Sequence, residues 1–133
     1  MAKTGDSFTV SIGPSQLNWG TYRNPTSRPP IPGEAYIAIP KKYAIDYELY
    51  NSNYTQTGLG YNEFLASTAD GYIRNEILLA QGSSAAGDPY AKNFAFKGDL
   101  KRLGSWFSYC NATTSNKIKI TFTSSTSLIL ELI

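Results

Sequence analysis

The chain has 133 residues, of which 41% are hydrophobic and 17% charged, and its net charge is +2. This size fits one domain with a single core. Histidine is absent and cysteine occurs once, which excludes serine–histidine and cysteine–histidine catalytic pairs, histidine metal sites and internal disulfides. We therefore expect a domain with no cofactor, no metal and no catalysis of its own.

The location of the protein follows from two further features. No stretch approaches the roughly 18 consecutive apolar residues of a membrane-spanning helix. The first six residues lack the apolar core of a signal peptide. We therefore expect a cytoplasmic protein without a membrane partner, in which Cys110 is a reduced cysteine packed at a helix end.

Alternation of apolar and polar residues with a period of two predicts about seven strands and a mainly β fold. In chain order the predicted strands cover residues 7–12, 34–39, 61–66, 72–79, 90–96, 117–123 and 127–132. The Asp70–Gly71 pair predicts a hairpin turn directly before the fourth strand. Because closure removes exposed edges, we expect the strands to form a closed or nearly closed barrel.

Two segments break this alternation and favour short helices. Residues 41–47 follow Pro40, and proline suits the first turn of a helix. Residues 99–110 place apolar side chains at helical spacing, and Asp99 can cap the N-terminus of this helix. We expect both helices to cover the openings of the barrel.

Two loops are longer than ordinary connections. Residues 13–33 combine several prolines with arginine, asparagine and aromatic residues, which favours an ordered recognition arm. Residues 81–89 form the second long loop. The polar residues of both loops are of the types that bind the edges of DNA bases. Arginine donates two hydrogen bonds to the O6 and N7 atoms of guanine, asparagine and glutamine form a similar pair of bonds with adenine, and aspartate accepts a hydrogen bond from cytosine. Our candidates for reading bases are Arg23, Asn24, Arg28, Gln81, Ser83, Ser84, Asp88 and Asn93.

Phosphate contacts require cations and other donors close to these loops. The candidates are Lys41, Tyr90, Lys92, Lys97, Lys101 and Arg102. The charge is unevenly distributed: residues 18–42 carry net +3, residues 43–91 net −5 and residues 92–119 net +5. A fold that brings the two basic segments together would create a cationic face that attracts polyanions.

Other chemistries are less well supported. The carboxylates Asp70 and Glu76 lack the following lysine of a metal-dependent nuclease, and Gly58-Leu59-Gly60 lacks the glycine and lysine of a phosphate-binding loop. The tyrosine, serine and threonine content leaves open a carbohydrate-binding or phage-structural β-domain. A nuclease with its own site is a third hypothesis.

Four sequence phrases resemble the B3-like DNA-recognition domains of bacterial restriction endonucleases. They are GEAYIAIPKKYA at 33–44, TADG at 68–71, DPYAKNF at 88–94 and GDLKRLGSW at 98–106. The resemblance covers residues 18–133. It implies a seven-stranded open barrel, or pseudobarrel, with two short helices. It further implies an N-arm at residues 18–33 and a C-arm at residues 81–93, which enter the major groove of double-stranded DNA from opposite sides.

The resemblance also implies a biological role in restriction–modification. The chain would be the target-recognition domain of a restriction endonuclease, with a nuclease domain in the same or a partner chain and no small-molecule substrate. No such nuclease domain is visible in the 133 residues.

Overall fold

The structure, a computed structural model, describes residues 1–14, 35–51, 54–82, 88–99 and 101–133. Within these ranges it contains seven strands and two helices, which confirms the expected mainly β class. They are β1 (Ser7–Ser11), β2 (Ile37–Ala38), α1 (Lys41–Asp46), β3 (Glu63–Thr68), β4 (Glu76–Gln81), β5 (Asn93–Phe96), α2 (Arg102–Tyr109), β6 (Lys117–Phe122) and β7 (Ser127–Leu132). In this part of the chain neither helix is long and apolar enough to cross a bilayer.

All seven strands belong to one mixed sheet with the order β1-β6-β7-β3-β4-β5-β2. Neighbouring strands are antiparallel except β3 and β7, which are parallel. Among the described residues no ladder joins the edge strands β1 and β2, so the sheet is not the closed barrel that we considered. The edge strand β2 is short because the chain turns into α1 at Pro40, the N-cap residue of that helix.

The pairing register shifts steadily across the sheet. Phe8 of β1 pairs with Ile120, Ile120 pairs with Leu130, and Leu130 pairs with Thr68, the last residue of β3. Phe8 and Thr68 therefore lie at the same level of the sheet. Followed from the other edge, Ile37 is level with Ala80, near the end of β4. Because β3 and β4 are antiparallel, these two levels lie at opposite ends of the sheet. Such stagger accompanies strand tilt, as in rolled sheets.

The core lies on the inner face of this sheet and beneath α2. Phe64 in β3 is at its centre, with its ring edge-on to the rings of Phe94 at 6.1 Å and Phe122 at 5.7 Å. From α2, Leu103 and Trp106 insert into the same cluster and are almost completely buried. The apolar face of α2 explains why the segment forms a helix despite Gly104, because tertiary packing outweighs the low helix propensity of glycine.

Helix α1 covers the gap between the two edge strands. It follows β2 directly, and its Tyr43 ring stacks on Phe8 of β1 with centroids 4.7 Å apart. Tyr47 stacks on Tyr43, and its hydroxyl donates a hydrogen bond of 3.1 Å to the carbonyl oxygen of Ser7. Side chains of α1 therefore shield the β1 edge, which would otherwise offer open backbone groups to other chains.

The predicted start of the second helix was wrong. Helix α2 begins at Arg102, and its N-cap residue is Lys101, whose side chain makes no capping bond. The carboxylate of Asp99 instead accepts the N–H of Lys101 at 3.1 Å, within the turn that precedes the helix. Asp99 therefore stabilises the approach to the helix and does not occupy its cap.

The fourth strand also begins later than predicted, at Glu76. The hydroxyl of Thr68 accepts the N–H of Ile73 at 2.9 Å, and the carboxylate of Asp70 accepts the N–H of Tyr72 at 2.9 Å. These side-chain acceptors take up the backbone donors that a ladder would need. The turn is consequently longer than the two-residue hairpin that the Asp70–Gly71 pair predicts.

Candidate nucleic-acid interface

Strand direction places the connections of the sheet at two opposite ends. The odd-numbered strands finish, and the even-numbered strands begin, at the end that we call the α2 end. The connection from β1 to β2 and helix α2 belong there. The opposite end, which we call the α1 end, contains α1 and the connection from β4 to β5. The two predicted arms therefore leave the sheet at opposite ends.

Several predicted base-reading residues cannot be placed. The N-arm candidates Arg23, Asn24 and Arg28, and the C-arm candidates Ser83 and Ser84, lie outside the described residues. The remaining candidates fall into one group at the α1 end and another that follows β5. The first group, which we call the α1-end cluster, consists of Lys41, Gln81, Asp88, Tyr90, Lys92 and Asn93.

Asp88 contacts two other members of the α1-end cluster. Its carboxylate accepts the N–H of Tyr90 at 3.0 Å and lies 3.3 Å from the ammonium group of Lys41 at the start of α1. The Tyr90 hydrogen bond, followed by the influence of Lys41 and Lys92, lowers the pKa of Asp88. The two basic segments thus meet at this end, with Asp88 between them.

Gln81 and Asn93 form the base of the β4–β5 connection. They face each other across the ladder of these strands, and Asn93 is also level with Ala38 of β2. The N–H of Lys92 donates to the carbonyl of Gln81 at 2.8 Å and closes the loop above them. Both side chains are half-buried, whereas that of Lys92 is exposed.

A column of tyrosines that the sequence analysis missed supports this loop. Tyr54 stacks on Tyr50 with centroids 3.7 Å apart, and Tyr50 stacks on Tyr90 at 5.6 Å. The Tyr50 hydroxyl donates to the carboxylate of Glu48 at 3.1 Å, and burial is the main reason that the pKa of Tyr50 is raised. Tyr90 is therefore a packing residue as well as a candidate phosphate contact.

Two of the candidate cations that follow β5 are already paired with acidic side chains of the protein. Lys97 pairs with Glu63 across the outer face of the sheet. The guanidinium of Arg102 donates to the carboxylate of Glu76, with the shortest contact at 2.7 Å, and it lies 5.3 Å from the ring centroid of Tyr72. The Glu76 hydrogen bonds are the largest cause of the raised pKa of Arg102. Arg102 is consequently held against the protein.

Two of the candidate cations remain available. Lys92 and Lys101 are exposed and form no ion pair with any residue in the described ranges. Lys92 lies at the root of the predicted C-arm, and Lys101, just before α2, lies at the end of the sheet from which the predicted N-arm leaves. With Lys41, whose side chain remains exposed in its pair with the half-buried Asp88, they are the best placed of the described candidates to contact a polyanion.

A second hydrogen-bonded centre lies at the α2 end, around Asp70. Its carboxylate accepts bonds from the Thr68 hydroxyl at 2.6 Å, from the Trp106 indole at 2.9 Å and from the Cys110 thiol at 3.3 Å. Burial raises the pKa of Asp70, but these bonds and the Tyr72 N–H outweigh it and lower the value to about 2. The bonds from Trp106 and Cys110 to Asp70 therefore connect α2 to the β3–β4 turn.

The surroundings of Asp70 offer little for catalysis. Burial, and then the Asp70 carboxylate, raise the pKa of Cys110 to about 11, so the thiol is a poor nucleophile at neutral pH. A cleft of about 470 Å³ adjoins the pair and is lined on the β7 side by Leu130, Glu131 and Leu132. No cluster of carboxylate and cysteine side chains within the described ranges is arranged to hold a metal ion.

The Asp70 centre predicts acid sensitivity. Its folded-state pKa of about 2 lies below the ordinary 3.8, so its contribution is fully present above pH 3.8 and is lost as pH falls through about 2. Because the carboxylate is exposed, solvent screening limits this contribution to about 1 kcal/mol. We expect urea unfolding of the natural protein and of Asp70→Asn to give free energies that converge as pH falls. A difference that stays constant with pH would contradict the assignment.

Comparison of the sequence and the fold with protein-family models, with curated proteins and with solved structures gives no match at a significant level.

Proposed function

We propose that this chain is a sequence-specific, double-stranded DNA-binding domain of the B3-like type. The observation that carries the proposal is that the two predicted arms leave one sheet at opposite ends, and that each of these ends carries an exposed lysine, Lys92 or Lys101. Two loops that leave opposite ends of a sheet can approach one duplex from two sides. In this proposal the lysines at the two ends of the sheet contact the phosphate backbones.

The fold supports the same reading. Over the residues that the structure describes, the element order is two strands, a helix, three strands, a helix and two strands, which agrees with a seven-stranded pseudobarrel with two short helices. The staggered register and the cover that α1 gives to the β1 edge suit a sheet that rolls without a continuous closing ladder. The pseudobarrel is therefore part of the proposal.

In the proposed mechanism one set of residues binds phosphates and another set recognises bases. Lys41, Lys92 and Lys101 bind phosphates on any duplex, so affinity depends on salt. The arm residues then read base edges in the major groove and provide discrimination. The domain has no catalysis of its own in this scheme, and it delivers a restriction endonuclease's nuclease domain, in the same or a partner chain, to its target.

The decisive experiment is selection from a pool of random DNA duplexes, followed by affinity measurement on the enriched sequence and on a scrambled one. We expect one short sequence to be enriched and to be bound more tightly than the scrambled duplex at physiological salt. A polysaccharide panel is probed in parallel. Saccharide binding without enrichment of any duplex would overturn the proposal in favour of a carbohydrate-binding domain.

Replacing an N-arm arginine tests the base-reading step. We expect Arg23→Ala or Arg28→Ala to weaken cognate binding by about 1–3 kcal/mol and to relax the preference at one G·C pair, because arginine donates two hydrogen bonds to guanine. Affinities for duplexes substituted at each position provide the measurement. If neither variant changes the preference at any position, the N-arm assignment is wrong.

A further inference from the structure

Asn51 is a buried polar residue at the α1 end, and only 1% of its surface is exposed. Its side-chain amide nitrogen donates to the carbonyl of Asp88 at 2.7 Å and makes a longer contact of 3.5 Å with the carbonyl of Tyr90. Its own backbone N–H donates to the carbonyl of Pro89 at 2.8 Å. One residue therefore binds three successive carbonyl groups of the predicted C-arm.

Further bonds attach the same part of the arm to the body of the domain. The N–H of Ala91 donates to the carbonyl of Leu49 at 2.9 Å, and that of Lys92 to the carbonyl of Gln81 at 2.8 Å. Residues 88–92 are consequently held between β4 on one side and residues 49–51 on the other. Within this arrangement, Asn51 supplies the bonds to the part that carries Asp88 and Tyr90.

The close packing around Asn51 leaves little freedom for another position of the loop. A Cβ atom at Gly82 would lie 3.2 Å from the amide nitrogen of Asn51 and 3.2 Å from the carbonyl oxygen of Tyr90. Glycine thus allows the two sides of the loop to approach each other over the Asn51 amide. Asparagine suits this place because its uncharged amide donates to carbonyls, whereas an apolar side chain would leave buried acceptors without donors.

We propose that Asn51 is the positioning residue for DNA discrimination: it fixes residues 88–90 relative to β4, and so sets where the C-arm meets the bases. This inference rests on the proposed function. Asn51 is buried and does not contact DNA itself in this scheme. Its effect passes through the loop that it holds, so it alters the discrimination between duplexes without changing the phosphate contacts made by exposed lysines.

The test compares Asn51→Ala with a matched control, Asn62→Ala. Asn62 is also buried, with 6% of its surface exposed, but its side-chain oxygen accepts the N–H of Gly58 at 2.6 Å and supports a different turn. Both variants are measured below their melting temperatures against the selected duplex and its scrambled counterpart. We expect Asn51→Ala to lower the affinity ratio of the two duplexes about tenfold, comparable to one mismatched base pair.

The outcomes separate the inference from the proposed function. Asn62→Ala should keep the natural ratio, and Asn51→Ala should keep the natural salt dependence and scrambled-duplex affinity. If the natural protein selects a duplex and Asn51→Ala retains its ratio, or both variants lose it equally, the positioning role is overturned while the function stands. If the natural protein selects no duplex, the proposed function fails, and the DNA-discrimination role of Asn51 fails with it.

A second variant covers the case in which Asn51→Ala does not fold. Gly82→Ala disturbs the same contact from the opposite side and keeps the Asn51 amide. We expect a smaller loss of the affinity ratio, about threefold, with faster hydrogen–deuterium exchange at the amides of residues 90–92. Faster exchange at these amides together with an unchanged ratio would overturn the inference.

Discussion

Replacing Asp70 with alanine is expected to lower the free energy of unfolding by about 2 kcal/mol, about 1 kcal/mol from the charge and the rest from the buried donors that lose their acceptor. The carboxylate accepts the indole N–H of Trp106, a residue with 1% of its surface exposed, and also the Thr68 hydroxyl and the Tyr72 N–H. Alanine leaves these donors without their acceptor and frees the start of the β3–β4 turn from α2. Urea unfolding at neutral pH, followed by tryptophan fluorescence, measures the loss.

The matched control is Asp46→Ala, which removes an exposed carboxylate at the end of α1. We expect it to change the free energy of unfolding by less than about 0.5 kcal/mol. Asp70→Asn retains one acceptor oxygen and should fall between the natural protein and Asp70→Ala. Equal losses for Asp70→Ala and Asp46→Ala would show that the Asp70 centre contributes nothing specific to stability.

Neutralising Lys41, Lys92 and Lys101 together with glutamine is expected to weaken binding to every duplex about 100-fold at low salt, about fivefold for each phosphate contact. The slope of log affinity against log salt concentration should become shallower by about 3. Cognate and scrambled duplexes should lose affinity alike, because phosphate contacts do not distinguish sequences. Fluorescence anisotropy titrations over a range of salt concentrations measure both quantities. The single variant Lys101→Ala should show the same uniform weakening on a smaller scale.

A control variant with the same change in net charge separates local contacts from the overall field of the protein. Lys3, Lys117 and Lys119 are exposed and lie on the N-terminal segment and on β6, outside the α1-end cluster and the turn before α2. Their triple replacement by glutamine should have the smaller effect on affinity and slope. If both triple variants weaken binding equally, the phosphate-binding assignment is wrong and general electrostatic attraction explains the affinity.

The sheet was predictable where sequence pattern and tertiary packing agree. Residues 127–132 form β7 as predicted, and β6 differs by one residue at its end, because their alternation separates a buried from an exposed face. The starts of β4 and α2 were not predictable from periodicity. Both depend on individual hydrogen bonds, accepted by the side chains of Thr68 and Asp70 in one case and of Asp99 in the other. Strand order and stagger are non-local and have no signal in a single sequence.

The candidate site, too, was predictable where residue type was sufficient and was not predictable where it depends on long-range contacts. Residue type identified the polar and basic members of the loops, and the sheet brings six of them together at the α1 end. The supporting residues were missed, since Tyr50, Asn51 and Tyr54 belonged to a polar stretch without periodicity. Their role arises from contacts with Asp88 and Tyr90, more than 30 positions further along the chain. Local pattern cannot report such contacts.

The hydrogen bond from Lys92 to Gln81 closes the β4–β5 connection beneath the residues that would meet DNA. The pairing of β4 with β5 is therefore complete before the loop begins, and Asn51 holds the returning limb independently of what lies between residues 82 and 88. We expect changes of length or sequence in that interval to leave the strand register intact. Under the proposed function, a scaffold built in this way would acquire new target sequences by exchange of a short segment, while the rest of the domain keeps its stability.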